Sequence, residues 1–163
     1  MTAPDTFKIY KIQNALFDYE CDKLIQLYEQ HHMEWITDFY GFDLEYIDQR
    51  LSDITHDLTG EEYINQEPPY ITKSTKDDPA RIDAWTNDNP LCAQYGNRTF
   101  TVLFLLSDGF VTFPNINIQH TMKKGDSLIW NNITTDGRVI DSVNIVGPDT
   151  YYIKKWVREK PFV

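Results

Sequence analysis

The stretch from Thr99 to Ser107 constrains this chain more than any other. Phe100, Val102, Leu103, Phe104, Leu105 and Leu106 put apolar side chains on both parities, so as a strand the segment must be covered on both faces. Such a strand belongs at the centre of a sheet, with one layer packed above it and another below. The rest of the sequence supplies those layers. Leu44, Ile47, Leu51, Ile54 and Leu58 recur at steps of three and four, which predicts an amphipathic helix. Asp43 is placed to cap its start, and Gly60 lies where it should stop. Cys21, Leu24, Ile25 and Tyr28 form a second stripe, in an earlier helix with Asp18 as its cap, and Phe7–Gln13 reads as an opening strand.

After Gly60 the pattern changes to short strands. Tyr70–Thr72, Ala80–Trp85, Val111–Phe113, Ile116–Met122, Ser127–Asn131, Val139–Val146 and Tyr151–Val157 join Thr99–Ser107, while Asn87–Pro90 and Gly96–Asn97 supply turn chemistry. Two helices leading into about eight strands predict an α+β, mostly β fold, with helices packed against an antiparallel sandwich or barrel.

A length of 163 residues fits one domain with a real core, and 41% hydrophobic and 14% aromatic residues are those of a folded protein. Cys21 and Cys92 are far apart and suggest neither a disulfide framework nor a zinc motif. The N-terminus has no signal-peptide pattern, so the expected location is intracellular. The glycosylation-like triplets at Asn97 and Asn132 are then chance matches.

The net charge of −10 is unevenly spread. Residues 1–90 carry 7 Lys and Arg against 19 Asp and Glu, whereas residues 91–163 carry 8 against 6. An acidic half of this kind repels phosphate backbones and anionic lipids, so neither nucleic acid nor membrane is expected as a partner. It can attract a basic protein partner, and a homo-oligomer is compatible with it.

Several segments, taken in order, resemble prolyl 4-hydroxylase-like domains. Tyr10–Leu16 with Glu20–Ile25 is similar to their strand-then-helix entry. Tyr70 matches a tyrosine on the strand before their metal motif. Gly96–Arg98, Thr101 and Leu106–Asp108 lead into Gly109, Thr112, Phe113 and Pro114. Lys123–Trp130, Asp141–Asn144 and Lys155–Val157 complete the series. The resemblance spans nearly the whole chain and implies one domain over 1–163. Its fold would be a jelly-roll-like double-stranded β-helix, with a strand and helices in 1–60 packed against one sheet of a β core in 61–163.

That family binds Fe(II) through His-x-Asp and a distant His, and uses 2-oxoglutarate. Here the first motif falls on Arg81-Ile82-Asp83 and the distant position on Asn144. Only Asp83 remains of the three ligands. A guanidinium has no lone pair for a metal, and an amide oxygen is a weak substitute for imidazole. The expectation is an internal Arg81–Asp83 pair in place of the iron, the alternative being that Arg81 points to solvent. Relatives also place a basic residue on the last strand to hold 2-oxoglutarate. The resemblance offers Thr150 or Tyr151 there, with Lys154 and Lys155 matching the Lys-Trp that ends the strand. Tyr70, Arg98, Thr150 and Tyr151 are therefore candidate ligand-pocket residues around Arg81, Asp83 and Asn144. His31, His32, His56 and His120 read as ordinary histidines, Asp77–Asp78 as a loop, and Trp85 and Trp156 as core.

No metal or catalytic residue and no cofactor is expected on this basis. The resemblance implies a catalytically inactive oxygenase-like protein acting as a binding or structural module. Because such domains also occur in viral genomes, the location is cytoplasmic or virion-associated. The alternatives are an active Fe(II)- and 2-oxoglutarate-dependent prolyl hydroxylase with an atypical iron site, or a metal-free binder of small ligands.

Overall fold

The computed structural model describes residues 7–32, 35, 45–84 and 89–162. Asp43, Leu44, Trp85, Asn87 and Asp88, to which the sequence assigned parts, lie outside the described residues. The chain opens with strand β1 (Ile9–Ile12) and helices α1 (Asp18–His31) and α2 (Glu45–Thr59). Strand β2 (Tyr70–Lys73) and the short helix α3 (Pro90–Tyr95) follow. The remaining strands are β3 (Arg98–Leu105), β4 (Gly109–Phe113), β5 (Ile118–Met122), β6 (Ser127–Asn131), β7 (Ile145–Val146) and β8 (Tyr151–Arg158).

Among the described residues all strand pairs are antiparallel, in two sheets. The major sheet has the order β1-β6-β3-β8-β2 and the minor sheet β5-β4-β7. β3 is the central strand of the major sheet, as its two-sided apolar pattern requires. Val102, Phe104 and Leu106 join Leu24, Leu27, Ile47 and Leu51 in a core between that sheet and the helices. Leu103 and Leu105 face the other way and pack with Val111, Phe113, Met122 and Trp130 between the two sheets. The fold is a mostly β double-stranded β-helix with the N-terminal helices laid on one sheet.

The helices are locked together by a carboxylate with no exposure. Glu20 accepts a hydrogen bond from the Phe17 backbone N–H (2.8 Å), closing the first turn of α1. It also accepts from Arg50 Nε (2.6 Å) and Tyr46 (3.1 Å) on α2. Phe17, not Asp18, is thus the cap of α1; Asp18 is its first helical residue. Gly60 ends α2 as expected, with φ +71° and its N–H donating to His56 O. Gly125 (φ +90°) sits where an added Cβ would lie 2.6 Å from Leu16 O, so the turn before β6 needs glycine.

Three expected strands come out differently. Ala80–Trp85 is no strand over its described residues: it makes a single bridge, Arg81 to Asn144. Val139–Val146 shrinks to β7 plus bridges at Val139 and Asn144. Ile116–Met122 begins two residues later, after a 3-10 turn over Pro114–Ile116. The segment read as turns instead contains α3, capped by Asn89 Oδ1 accepting from Leu91 N–H, with Pro90 opening the helix.

Candidate functional site

β8 is the strand that builds the site. Period-two alternation sends Tyr151, Ile153, Lys155 and Val157 toward the helices, and Tyr152, Lys154, Trp156 and Arg158 the other way. Lys154 lies opposite Leu103 on β3 and Tyr70 on β2. Trp156 lies opposite Thr101. Asp83 is brought to the same place by the Arg81–Asn144 bridge, in which each residue donates its N–H to the other's carbonyl at 2.9 and 2.8 Å.

Lys154 Nζ stands between Asp83 and Asn144. It donates to Asp83 Oδ1 (3.0 Å) and Oδ2 (3.3 Å), and to Asn144 Oδ1 (2.8 Å). The amide of Asn144 continues to Arg81 O (3.1 Å) and Ser142 O (3.0 Å). On the other side Thr101 Oγ1 donates to Asp83 Oδ2 (2.8 Å) and accepts from Asn132 Nδ2 (2.8 Å). Ser142 Oγ donates to Asn132 Oδ1 (2.9 Å), so the chain of polar groups closes on itself. All six residues are buried, and each buried polar group has a partner, which makes an otherwise costly network tolerable. Burial pushes the Lys154 pKa below that of a free lysine, and the Asp83 carboxylate opposes that fall.

The expected Arg81–Asp83 ion pair is therefore corrected: the ion partner of Asp83 is Lys154. Arg81 is exposed, at the mouth of a ≈ 440 Å³ cavity that it lines together with Tyr70, Asp83, Arg98, Lys154 and Trp156. The reason lies in the backbone. Two residues share a face only along a regular strand, and the chain leaves strand geometry after Arg81.

Tyr70 and Arg98 reach this cavity. Arg98 grips the Glu67 carboxylate with Nε (2.8 Å) and Nη2 (3.1 Å), donates to Asp83 O, and lies 3.8 Å above the ring of Trp156. Thr150 and Tyr151 do not line it. Thr150 binds Ser74 and Pro148 through backbone and hydroxyl, and Tyr151 packs on Tyr28 at the helix-facing side. The basic residue of the last strand that faces the cavity is Lys154. Sequence reasoning assigned it to the strand end; its shared parity with Trp156 was the signal available.

Other candidates have ordinary surroundings. His56 Nδ1 lies 2.8 Å from Glu61 O and its ring stacks on Tyr63, while His120 packs edge-on against Phe113. Asp78 closes a turn by accepting from Thr75. Trp156 is buried as expected of a core residue, yet it walls the cavity. A second cleft of ≈ 390 Å³, around Tyr10, Leu58, Phe100 and Ile129, shares no residue with the first.

The donors around Lys154 do not fit iron. One carboxylate and one amide oxygen face an amine that must lose its proton before it can bind a metal, where such an iron needs two imidazoles and a carboxylate. Among the described residues no three His, Cys, Asp or Glu side chains converge. No helix among them is long and apolar enough to cross a membrane.

No protein-family model matches this chain, and no curated protein sequence matches it. Solved structures do. The viral collagen prolyl hydroxylase of Paramecium bursaria Chlorella virus-1 superposes with a TM-score of 0.71 at 17% identity, over 92% of this chain and 88% of its own. A Pseudomonas putida prolyl-4-hydroxylase gives 0.62 at 10% identity, over 95% and 87%. HygX of Streptomyces hygroscopicus, with nickel and 2-oxoglutarate bound, gives 0.56 at 11% identity, over 98% and 86%. The chain has the double-stranded β-helix fold of the prolyl 4-hydroxylase-like 2-oxoglutarate oxygenases.

Proposed function

We propose that this protein is a non-catalytic binding module on the 2-oxoglutarate oxygenase fold, in which a lysine ammonium has taken the metal's place. One observation carries the reading: Lys154 Nζ bridges Asp83 and Asn144, two of the positions matched to metal ligands. A fixed cation inside the chain neutralises the carboxylate as a divalent ion would, but offers no open coordination position to oxygen or to a 2-oxo acid. The same lysine is the inward basic residue of the last strand, so the group suited to gripping 2-oxoglutarate is already engaged.

The test is an anaerobic titration of the full chain with Fe(II) and then 2-oxoglutarate, followed by calorimetry and visible absorption. The expected result is no saturable heat and no charge-transfer band. A band at stoichiometric iron would overturn the proposal.

What the module binds is read from charge. The excess of 19 acidic over 7 basic residues in 1–90 fits a basic protein partner, in a cellular or a viral assembly. Binding to a cationic polypeptide should weaken when Glu61 and Glu62 are both changed to Lys, and by more than after the same change at Asp136 and Asp141. Equal effects at the two sites would remove the N-terminal half as the contact surface.

A second reading is favoured by the nickel and 2-oxoglutarate bound in one of the structural neighbours. It is Fe(II)- and 2-oxoglutarate-dependent hydroxylation at an atypical iron site. It requires oxygen- and 2-oxoglutarate-dependent turnover that Asp83→Ala abolishes.

A further inference from the structure

The ≈ 440 Å³ cavity has more than the lysine network in it. Its lining contains three cations, Arg81, Arg98 and Lys154, and one carboxylate, Asp83. Lys154 is held by Asp83, and Arg98 by Glu67. Arg81 is different. Its backbone is fixed by both hydrogen bonds to Asn144, but among the described residues its guanidinium has no carboxylate partner. Its charge is felt inside: it helps to depress the pKa of Lys154 and pulls against the rise of Tyr152. Asp78, a further carboxylate acting on Tyr152, is committed to the turn at Thr75.

Trp156 contributes its ring to the wall, while its indole N–H is enclosed in the protein. Apart from Ile82, the remaining wall is aromatic: Trp35 meets Tyr70 edge-on at 5.4 Å, and Tyr70 lies 6.5 Å from Trp156. Flat rings in the wall favour a flat ligand body, and the volume lies within the range of small-molecule sites.

We propose that this cavity binds a small aromatic carboxylate, with its anionic group on the Arg81 guanidinium and its ring among Trp35, Tyr70 and Trp156. An arginine suits a carboxylate because its planar fork matches both oxygens. Asp83 does not repel the ligand, because Lys154 and Thr101 already satisfy it. The inference rests on the metal-free reading, since an iron site would place other groups in this space.

The experiment uses the full chain with 4-hydroxybenzoate and its neutral analogue 4-hydroxybenzamide, followed by calorimetry and tryptophan fluorescence. The acid should bind saturably and quench the fluorescence, and the amide should bind at least about tenfold more weakly. Arg81→Gln should lose at least about tenfold in affinity for the acid, while Arg81→Lys recovers part of it. Both variants keep the backbone bridge, and an unchanged melting temperature without ligand confirms that they fold. Equal binding of acid and amide, wild-type affinity in Arg81→Gln, or no saturation by concentrations on the order of 10 mM would each overturn the proposal. Iron with its visible band would instead break the metal-free reading, so the two failures are told apart by separate signals.

Discussion

The two faces of strand β8 solve the same problem in opposite ways. Lys154 and Lys155 are chain neighbours on opposite sides of one sheet, and both are buried, at 4% and 3% exposure. On the cavity side Lys154 meets a carboxylate and an amide within a closed polar ring. On the helix side Lys155 Nζ donates to a backbone acceptor, Glu67 O at 2.9 Å. Burial pushes the Lys155 pKa down to about 8, with the acids Asp48 and Glu67 pulling it back. The lesson is that burial alone does not make a buried charge functional; the company it keeps does. One lysine is built into the candidate site, and the other is buried on the helix side with one backbone acceptor.

This contrast can be broken most severely at Asp83. Asp83→Ala leaves the Lys154 ammonium without its counter-ion and should cost about 3–5 kcal/mol in urea denaturation. Asp83→Leu combined with Lys154→Met removes both charges and should recover most of that loss. A double variant as unstable as the single one would show that the ring, not the ion pair, sets the cost. On the helix side the corresponding cut is Leu51→Ala, which opens a cavity beside Leu24 and Phe104 and should cost roughly 2–5 kcal/mol by the same measurement.

Lys155→Met sharpens the comparison by its sign. The folded-state pKa of about 8 lies below the ordinary 10.5, so the unfolded chain binds more protons between those values. Stability should therefore rise with pH from about 8 to about 10.5 and be lowest, for this group, below 8. Lys155→Met should stabilise the protein at neutral pH by on the order of 2 kcal/mol and flatten that rise. A destabilised variant would mean that the bond to Glu67 O outweighs the burial penalty. The smallest effect belongs to Arg81→Gln, which should stay within about 0.5 kcal/mol of wild type because the side chain is exposed.

Much of the fold could be read from the sequence where burial imposes a period. β3, β6, β8 and α2 are long or apolar enough that no other element fits them, and Gly60 marks its helix end by backbone geometry alone. The short α3 escaped because six residues carry no period. Its signal was Asn89-Pro90, a helix start that is equally a turn. In the site, Asp83 and Asn144 were placed by the family resemblance. Lys154 was not: parity groups it with Trp156, but that face is assigned to the cavity only by the register against β2 and β3. Arg81 was paired with Asp83 by a strand rule applied where the chain is not a strand.

A cation that is part of the polypeptide has no dissociation constant in the usual sense. The Lys154 ammonium is tethered by a strand held on both edges by hydrogen bonds, so its effective concentration at Asp83 is set by the fold and not by the surroundings. It cannot be chelated, exchanged for another ion or lost on dilution. On the proposed metal-free reading, the pocket is complete as soon as the chain has folded, at any supply of metal.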